Sequence, residues 1–145
     1  MRITQWLYMK EGFVLIEDLE IASTFEEIPK VESLVDKICS RLGVNEDFYG
    51  NVLIAVTEAV NNAIEHGNKS VEHLKVGVSV GDKEEEFCFS VEDTGSGFDY
   101  NNLPDPTSPE NILKENGRGI FLMKNLADDV EFEEGGRKVS IYFVK

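Results

Sequence analysis

The sequence predicts an α+β fold, a two-layer α/β sandwich in which helices cover one face of a mixed, mostly antiparallel sheet. Three observations carry this reading. Two segments repeat apolar residues at helical spacing, several short stretches alternate apolar with polar residues, and the order β-α-α-β-β-loop-α-β-β leaves hairpins rather than crossover units. A chain of 145 residues supports one core and leaves no room for a second.

Each element follows from local chemistry. Residues 12–23, GFVLIEDLEIAS, begin with a β-rich apolar run and continue with Leu19 and Ile21 alternating with acids, as a half-buried strand does. In residues 24–43 the period changes: Ile28, Val31, Leu34, Val35, Ile38 and Leu42 recur at helical spacing, and Gly43 stops the helix. Residues 44–68 hold the strongest helical pattern, with Asn45 as N-cap, Glu46 and Asp47 in the first turn where the helix dipole favours them, and Gly67 at the end. Val76, Val78 and Val80, then Phe87, Phe89 and Val91, predict a hairpin turning at Gly81-Asp82. Residues 94–119 carry Gly95, Gly97, Pro104, Pro106, Pro109 and Gly117, which break any long element, and loops of this length are usually functional. A short helix over 120–130 and a last hairpin turning at Gly135-Gly136 complete the chain.

Composition excludes several function classes. The formal charge of −14 repels phosphate backbones and anionic membranes, so nucleic-acid and membrane binding are not expected. No run approaches the ~20 apolar residues of a membrane span, nor does the N-terminus resemble a secretory leader. Cys39 and Cys88 stand alone and far apart, which argues against a disulfide framework or zinc site and for buried thiols in a reducing cytoplasm.

One helix face calls for more than solvation. With Glu58 at zero on a wheel of about 100° per residue, Asn51, Asn61, Asn62 and Glu65 lie within about 60° of it, while Val52, Val56, Ala59, Val60 and Ala63 lie opposite. An exposed face is normally Lys, Arg, Glu and Gln; adjacent mid-helix asparagines cost stability. Glu58 and Asn62 stack four residues apart and offer a carboxylate and an amide oxygen, a hard-oxygen pair suited to Mg²⁺ completed by phosphates, or a general base. His66 at the helix end is most simply a dipole partner. Downstream, Asp93-Thr94-Gly95-Ser96-Gly97 follows an apolar strand with glycines that admit close backbone approach, and Gly117-Arg118-Gly119 runs into a helix whose free N–H groups suit phosphate. Each motif alone is weak. Neither fits the dinucleotide fingerprint or the P-loop.

Together and in this order, the motifs resemble the GHKL (histidine-kinase-like) ATPase family. EAVNNAIEHGN is similar to its N box, DTGSGFD to its first glycine box and NGRGIFLM to its second, so that the likeness spans residues 13–145 with 1–12 as an N-terminal extension. Among family members the chain most resembles the stand-alone anti-sigma-factor serine-protein kinases. The resemblance implies ATP and Mg²⁺ as cofactors, Glu58 as catalytic base, Asn62 as metal ligand, and Asp93, with Gly95 and Gly97, as the adenine pocket. It further implies a lid over 100–116 and phosphate contacts from Gly117, Arg118 and Gly119. Many members carry Gly-Thr before the final strand; here Gly136-Arg137-Lys138 stands there, with Ser140 as the candidate substitute hydroxyl.

Two classes of function follow. In one, a cytoplasmic serine/threonine-protein kinase phosphorylates a Ser of a STAS-type anti-sigma-factor antagonist and sequesters a sigma factor, regulating transcription by partner switching. In the other, a nucleotide-gated binding protein of the same fold shows little or no turnover. Retention of Glu58 favours the kinase. The oligomeric state stays open between monomer and homodimer.

Overall fold

The computed structural model describes residues 12–95 and 115–145, and for 115–117 the backbone alone. Gly97, most of the expected lid (100–116) and the N-terminal extension apart from Gly12 lie outside the described residues. The elements run β1 (Val14–Ala22), α1 (Ile28–Leu42, entered through a 3₁₀ turn), α2 (Glu46–Asn62), β2 (Lys75–Asp82), β3 (Glu86–Glu92), α3 (Glu115–Leu126), β4 (Asp129–Glu133) and β5 (Lys138–Val144). The strands form one sheet in the order β1-β2-β3-β5-β4, and every described pairing is antiparallel. The α+β sandwich expected from the sequence is the fold observed.

Strand alternation divides the sheet into two faces. Ile21, Val76, Val78, Val80, Phe87, Phe89, Val91, Val139, Ile141 and Phe143 point inward and join the buried residues of all three helices in one core. The helices present matching stripes. Val31, Leu34, Val35, Ile38 and Cys39 of α1, and Val52, Ala55, Val56, Ala59 and Val60 of α2, are the positions buried. The ends are capped as the residues suggest. Asn45 accepts a hydrogen bond from the Asp47 N–H at 2.9 Å, and Gly43 takes the left-handed conformation (φ 68°) that closes α1.

Two boundaries differ from expectation. Gly81-Asp82 is not the hairpin turn: both residues continue β2, Gly81 pairing with Leu15 and Cys88, and the chain reverses over 83–85. A register shift in β1 between Leu15 and Glu17 lies opposite, a place where a strand glycine commonly sits. The helix expected over 120–130 spans Glu115–Leu126, so Gly117 and Gly119 lie within its first turns rather than before it. Residues 129 and 130 belong to β4.

Core position decides the cost of losing an aromatic ring. Phe89 is fully buried and Phe48, on α2, is 56% exposed. Phe89→Ala is expected to cost about 3–5 kcal/mol and Phe48→Ala no more than about 0.5 kcal/mol, as read from urea unfolding midpoints at constant slope.

Candidate functional site

The site is assembled where α2 ends against the end of β3. After Asn62 the helix widens into a π-helical turn, Ala63–Gly67, of the kind that re-aims side chains at functional positions. Gly67 thereby comes to rest on the Asp93 carboxylate: a Cβ on Gly67 would stand 2.3 Å from Asp93 Oδ2, and a Cβ on Gly95 would stand 1.9 Å from the Gly67 carbonyl oxygen. Only glycines fit this stack. Asp93 Oδ1 accepts the Gly95 N–H at 2.8 Å, and the Asp93 N–H donates to the Arg137 carbonyl at 2.9 Å, extending the β3–β5 ladder to the carboxylate.

Asn68 ties the junction together. Fully buried, it donates from Nδ2 to Ser23 Oγ (2.8 Å) and the Lys75 carbonyl (3.0 Å), and its Oδ1 accepts from the Thr94 N–H (2.9 Å) and hydroxyl (3.2 Å). The end of β1, the start of β2 and the residue after Asp93 thus share one side chain, with both amide groups satisfied.

Two clefts meet here. The first is an apolar slot walled by Ala59 and Ala63 of α2, Val91 and Val139 of the sheet, and Ile120 and Met123 of α3, with Asp93, Gly136 and Arg137 at its polar end. The second is polar, lined by Glu58, Asn61, Asn62, Glu65, His66 and Arg118, with Phe25 and Leu122 at its rim. Asn62 and His66 line both, so the two clefts adjoin at these two side chains. α3 closes against α2 at Gly119, where a Cβ would lie 2.8 Å from Glu58 Oε2 and 3.4 Å from Asn62 Nδ2.

Asn62 tests the fit of a cation. Its Nδ2 is buried without a hydrogen-bond partner among the described residues. A half-turn of the amide sets Oδ1, a hard oxygen, in the same place at no cost in shape. Among the described residues no cluster of three or more His, Cys, Asp and Glu side chains is placed to hold a metal. Glu58 and Asn62, which line the same cleft, offer one carboxylate and one amide oxygen, a donor set that fits an ion taking one or two protein oxygens and completing its shell with water and phosphate, as Mg²⁺ does.

The structure places Glu58, Asn62, Arg118 and Gly119 around the polar cleft, and Asp93 and Gly95 at the far end of the slot. Gly117 lies in the first turn of α3, and Gly97 outside the described residues. Ser140 is not a substitute hydroxyl for the slot. It lies on the opposite face of the sheet, hydrogen-bonded to Ser90 at 2.9 Å, because Val139 and Ile141 take the inward positions of β5. Sequence reasoning also passed over Gly67, read as a helix stop, His66, read as a dipole partner, and Asn68; their spacing after Asn62 was the available signal.

The chain belongs to the histidine kinase-like ATPase family. The family model for the histidine kinase-like ATPase domain matches residues 21–143. Serine-protein kinase RsbW from two strains of Staphylococcus aureus, bovine RF122 / ET3-1 and JH9, is 29% identical over 140 residues, covering 91% of this chain and 86% of each relative. In fold, the chain resembles the crystal structure of the RsbU and RsbW domains of Rv1364c from Mycobacterium tuberculosis, with a TM-score of 0.55 at 15% identity over 89% of this chain. It spans 32% of that longer chain. A histidine kinase-like ATPase domain implies use of ATP, and the relatives are serine kinases by name. Among the described residues no helix is long and apolar enough to cross a membrane.

Burial pushes the Asp93 carboxyl above the ordinary aspartate range, opposed by the Gly95 N–H and the Arg137 charge. A carboxyl raised on folding binds its proton more tightly in the folded state, so its contribution to stability is fully present below the unfolded pKa and is lost as pH rises through the folded one. Asp93→Asn keeps the Gly95 acceptor and removes this loss. The variant is expected to be at least as stable as wild type at neutral pH and to flatten the pH dependence of urea unfolding above about pH 4.

Proposed function

We propose that this chain is an ATP-dependent serine-protein kinase and anti-sigma factor, with residues 13–145 forming its single nucleotide-binding domain. The observation that carries the reading is the meeting of the apolar slot and the polar cleft at Asn62 and His66: the first suits a flat base and the second a charged phosphate chain. In support stand the family and the relatives named serine-protein kinases.

In this reading Asp93, lodged between Gly67 and Gly95, accepts a hydrogen bond from the adenine amino group with the oxygen left by the Gly95 N–H. The apolar walls of the slot stack on the ring. Arg118 and the backbone around Gly117 and Gly119 face the phosphates. Asn62 holds Mg²⁺, which supplies charge neutralisation on the phosphate oxygens when bound. Glu58 takes the proton of a partner's Ser hydroxyl as the Oγ–phosphorus bond forms and the bridging oxygen–phosphorus bond to ADP breaks. The contact of Gly119 with Glu58 is then the device that holds the base in place. The protein substrate is a STAS-type anti-sigma-factor antagonist and the sequestered partner a sigma factor, both taken from the family resemblance.

A second reading, nucleotide-gated binding without turnover, draws on one observation. Arg137, where many relatives of this fold carry a threonine, lies at the polar end of the slot beside Asp93.

Labelled Mg-ATP with a panel of purified antagonists decides between them. Wild type is expected to bind nucleotide and transfer label to serine, and Asp93→Asn to lose binding. Glu58→Gln should retain binding with transfer reduced by about 10²-fold or more. Gly119→Ala should leave stability within about 1 kcal/mol, since Ala favours the helix, yet lower transfer by displacing the Glu58 carboxylate. Binding with equal transfer by Glu58→Gln removes the base from its role; binding with no transfer to any antagonist supports the second reading.

A further inference from the structure

The polar end of the apolar slot is built by two residues that face each other across the last rung of the β3–β5 ladder. Val91 pairs with Val139 and Glu92 with Lys138, and the Asp93 N–H donates to the Arg137 carbonyl at 2.9 Å, so Asp93 and Arg137 are the next pair in the same register. Two residues beyond Val91 and two before Val139, they leave the sheet on the face of those slot walls. Directly opposed residues on antiparallel strands have Cβ atoms about 4.5–5.5 Å apart. A carboxylate and a guanidinium thus arise side by side. The Arg137 charge is felt by both Asp93 and Glu92, yet among the described residues neither carboxylate forms an ion pair with it.

The turn before β5 holds Arg137 from behind. Glu134, Gly135 and Gly136 all take left-handed backbone (φ 53°, 67° and 94°), and the Glu134 carbonyl accepts from both the Arg137 N–H (3.4 Å) and its Nε (3.2 Å). A left-handed glutamate is unfavourable, and such strain persists where the surrounding structure over-determines it, often at ligand sites. The Nε anchor engages one of the five guanidinium N–H donors. On the other side, Asp93 Oδ1 already accepts the Gly95 N–H at 2.8 Å, which leaves one oxygen for a ligand.

The slot therefore ends in one acceptor beside one donor. Adenine carries the complement on its Watson–Crick edge, where the N6 amino group donates and the adjacent N1 accepts. Guanine places two neighbouring donors, N1–H and the N2 amino group, beside its O6, and so asks for both carboxylate oxygens where one is already engaged. We propose, on the reading of the slot as a nucleotide-base site, that Arg137 is a specificity-determining residue that donates to N1 of adenine while Asp93 accepts from N6. The contact is a charge-assisted hydrogen bond that the bound base itself shields from water. Because Arg137 stands exposed at the end of the slot, its loss weakens and broadens base recognition rather than abolishing it.

Calorimetric titration of the full chain with the Mg²⁺ complexes of ATP, GTP and 1-deaza-ATP, in which a C–H replaces N1, isolates the contact. Wild type is expected to bind ATP about tenfold more tightly than 1-deaza-ATP, and more tightly than GTP. Arg137→Met should bind ATP about tenfold more weakly, with the ratio of ATP to 1-deaza-ATP affinity falling to about one. Arg137→Lys loses the Nε anchor as the Met variant does but restores a donor, and should recover part of the ratio, which a purely structural role in the turn would not allow. A wild-type ratio near one, or equal ratios in the Met and Lys variants, overturns the proposal. So does GTP bound as tightly as ATP, which assigns the pair to guanine. Failure of wild type to bind any of the three sinks the nucleotide reading itself, whereas ATP binding with no preference for N1 sinks the role of Arg137 alone.

Discussion

The stacking of Gly67 on the Asp93 carboxylate, with Gly95 closing on the Gly67 carbonyl, is the contact on which the rest of the site depends. It fixes the distance between the end of α2 and the end of β3 at a value that no side chain tolerates at either glycine. Once that distance is set, the residues N-terminal to it along α2 are placed as well. Asn62 falls at the mouth of the slot and Glu58 one turn further, under Gly119 of α3. The π-helical turn makes the approach feasible, because a regular helix would present a different residue to Asp93.

Close approach by glycine thus serves the site twice, with different consequences. At Gly67 and Gly95 the opposing atoms include backbone and a half-locked carboxylate, so a methyl group there disturbs the frame itself. At Gly119 the nearest opposing atom is the end of the flexible Glu58 side chain, so a methyl group displaces that carboxylate and leaves the frame intact. Asn68 adds polar rigidity to the same junction, joining β1, β2 and the residue after Asp93 through one amide. The buried Asn62 Nδ2, without a hydrogen-bond partner among the described residues, stands out against that satisfied neighbour.

Much of this was legible in the sequence where periodicity and capping agree. The α2 stripe, the Asn45 cap, the Gly43 stop and the inward alternation of Phe87, Phe89 and Val91 follow local rules that tertiary contacts reinforce. The Glu58–Asn62 face was readable for the converse reason, since mid-helix asparagines contradict local preference. What escaped reading was set by tertiary contact. Gly81 reads as a turn but is a strand residue opposite a register shift, and Gly117 reads as a breaker but lies within α3, as does Gly119, where α3 nearly touches α2. The face of Ser140 was recoverable: parity with Val139, Ile141 and Phe143 places it outward.

In the proposed function, base and phosphates occupy two adjoining clefts that meet at Asn62 and His66. A crystal structure of the protein with Mg²⁺ and a non-hydrolysable ATP analogue tests it most directly. The adenine ring is expected between the α2 and sheet walls with its amino group within about 3.2 Å of Asp93, and the phosphates beside Glu58, Asn62 and Arg118. An analogue bound elsewhere, or with its base in the polar cleft and its phosphates toward Asp93, would contradict it.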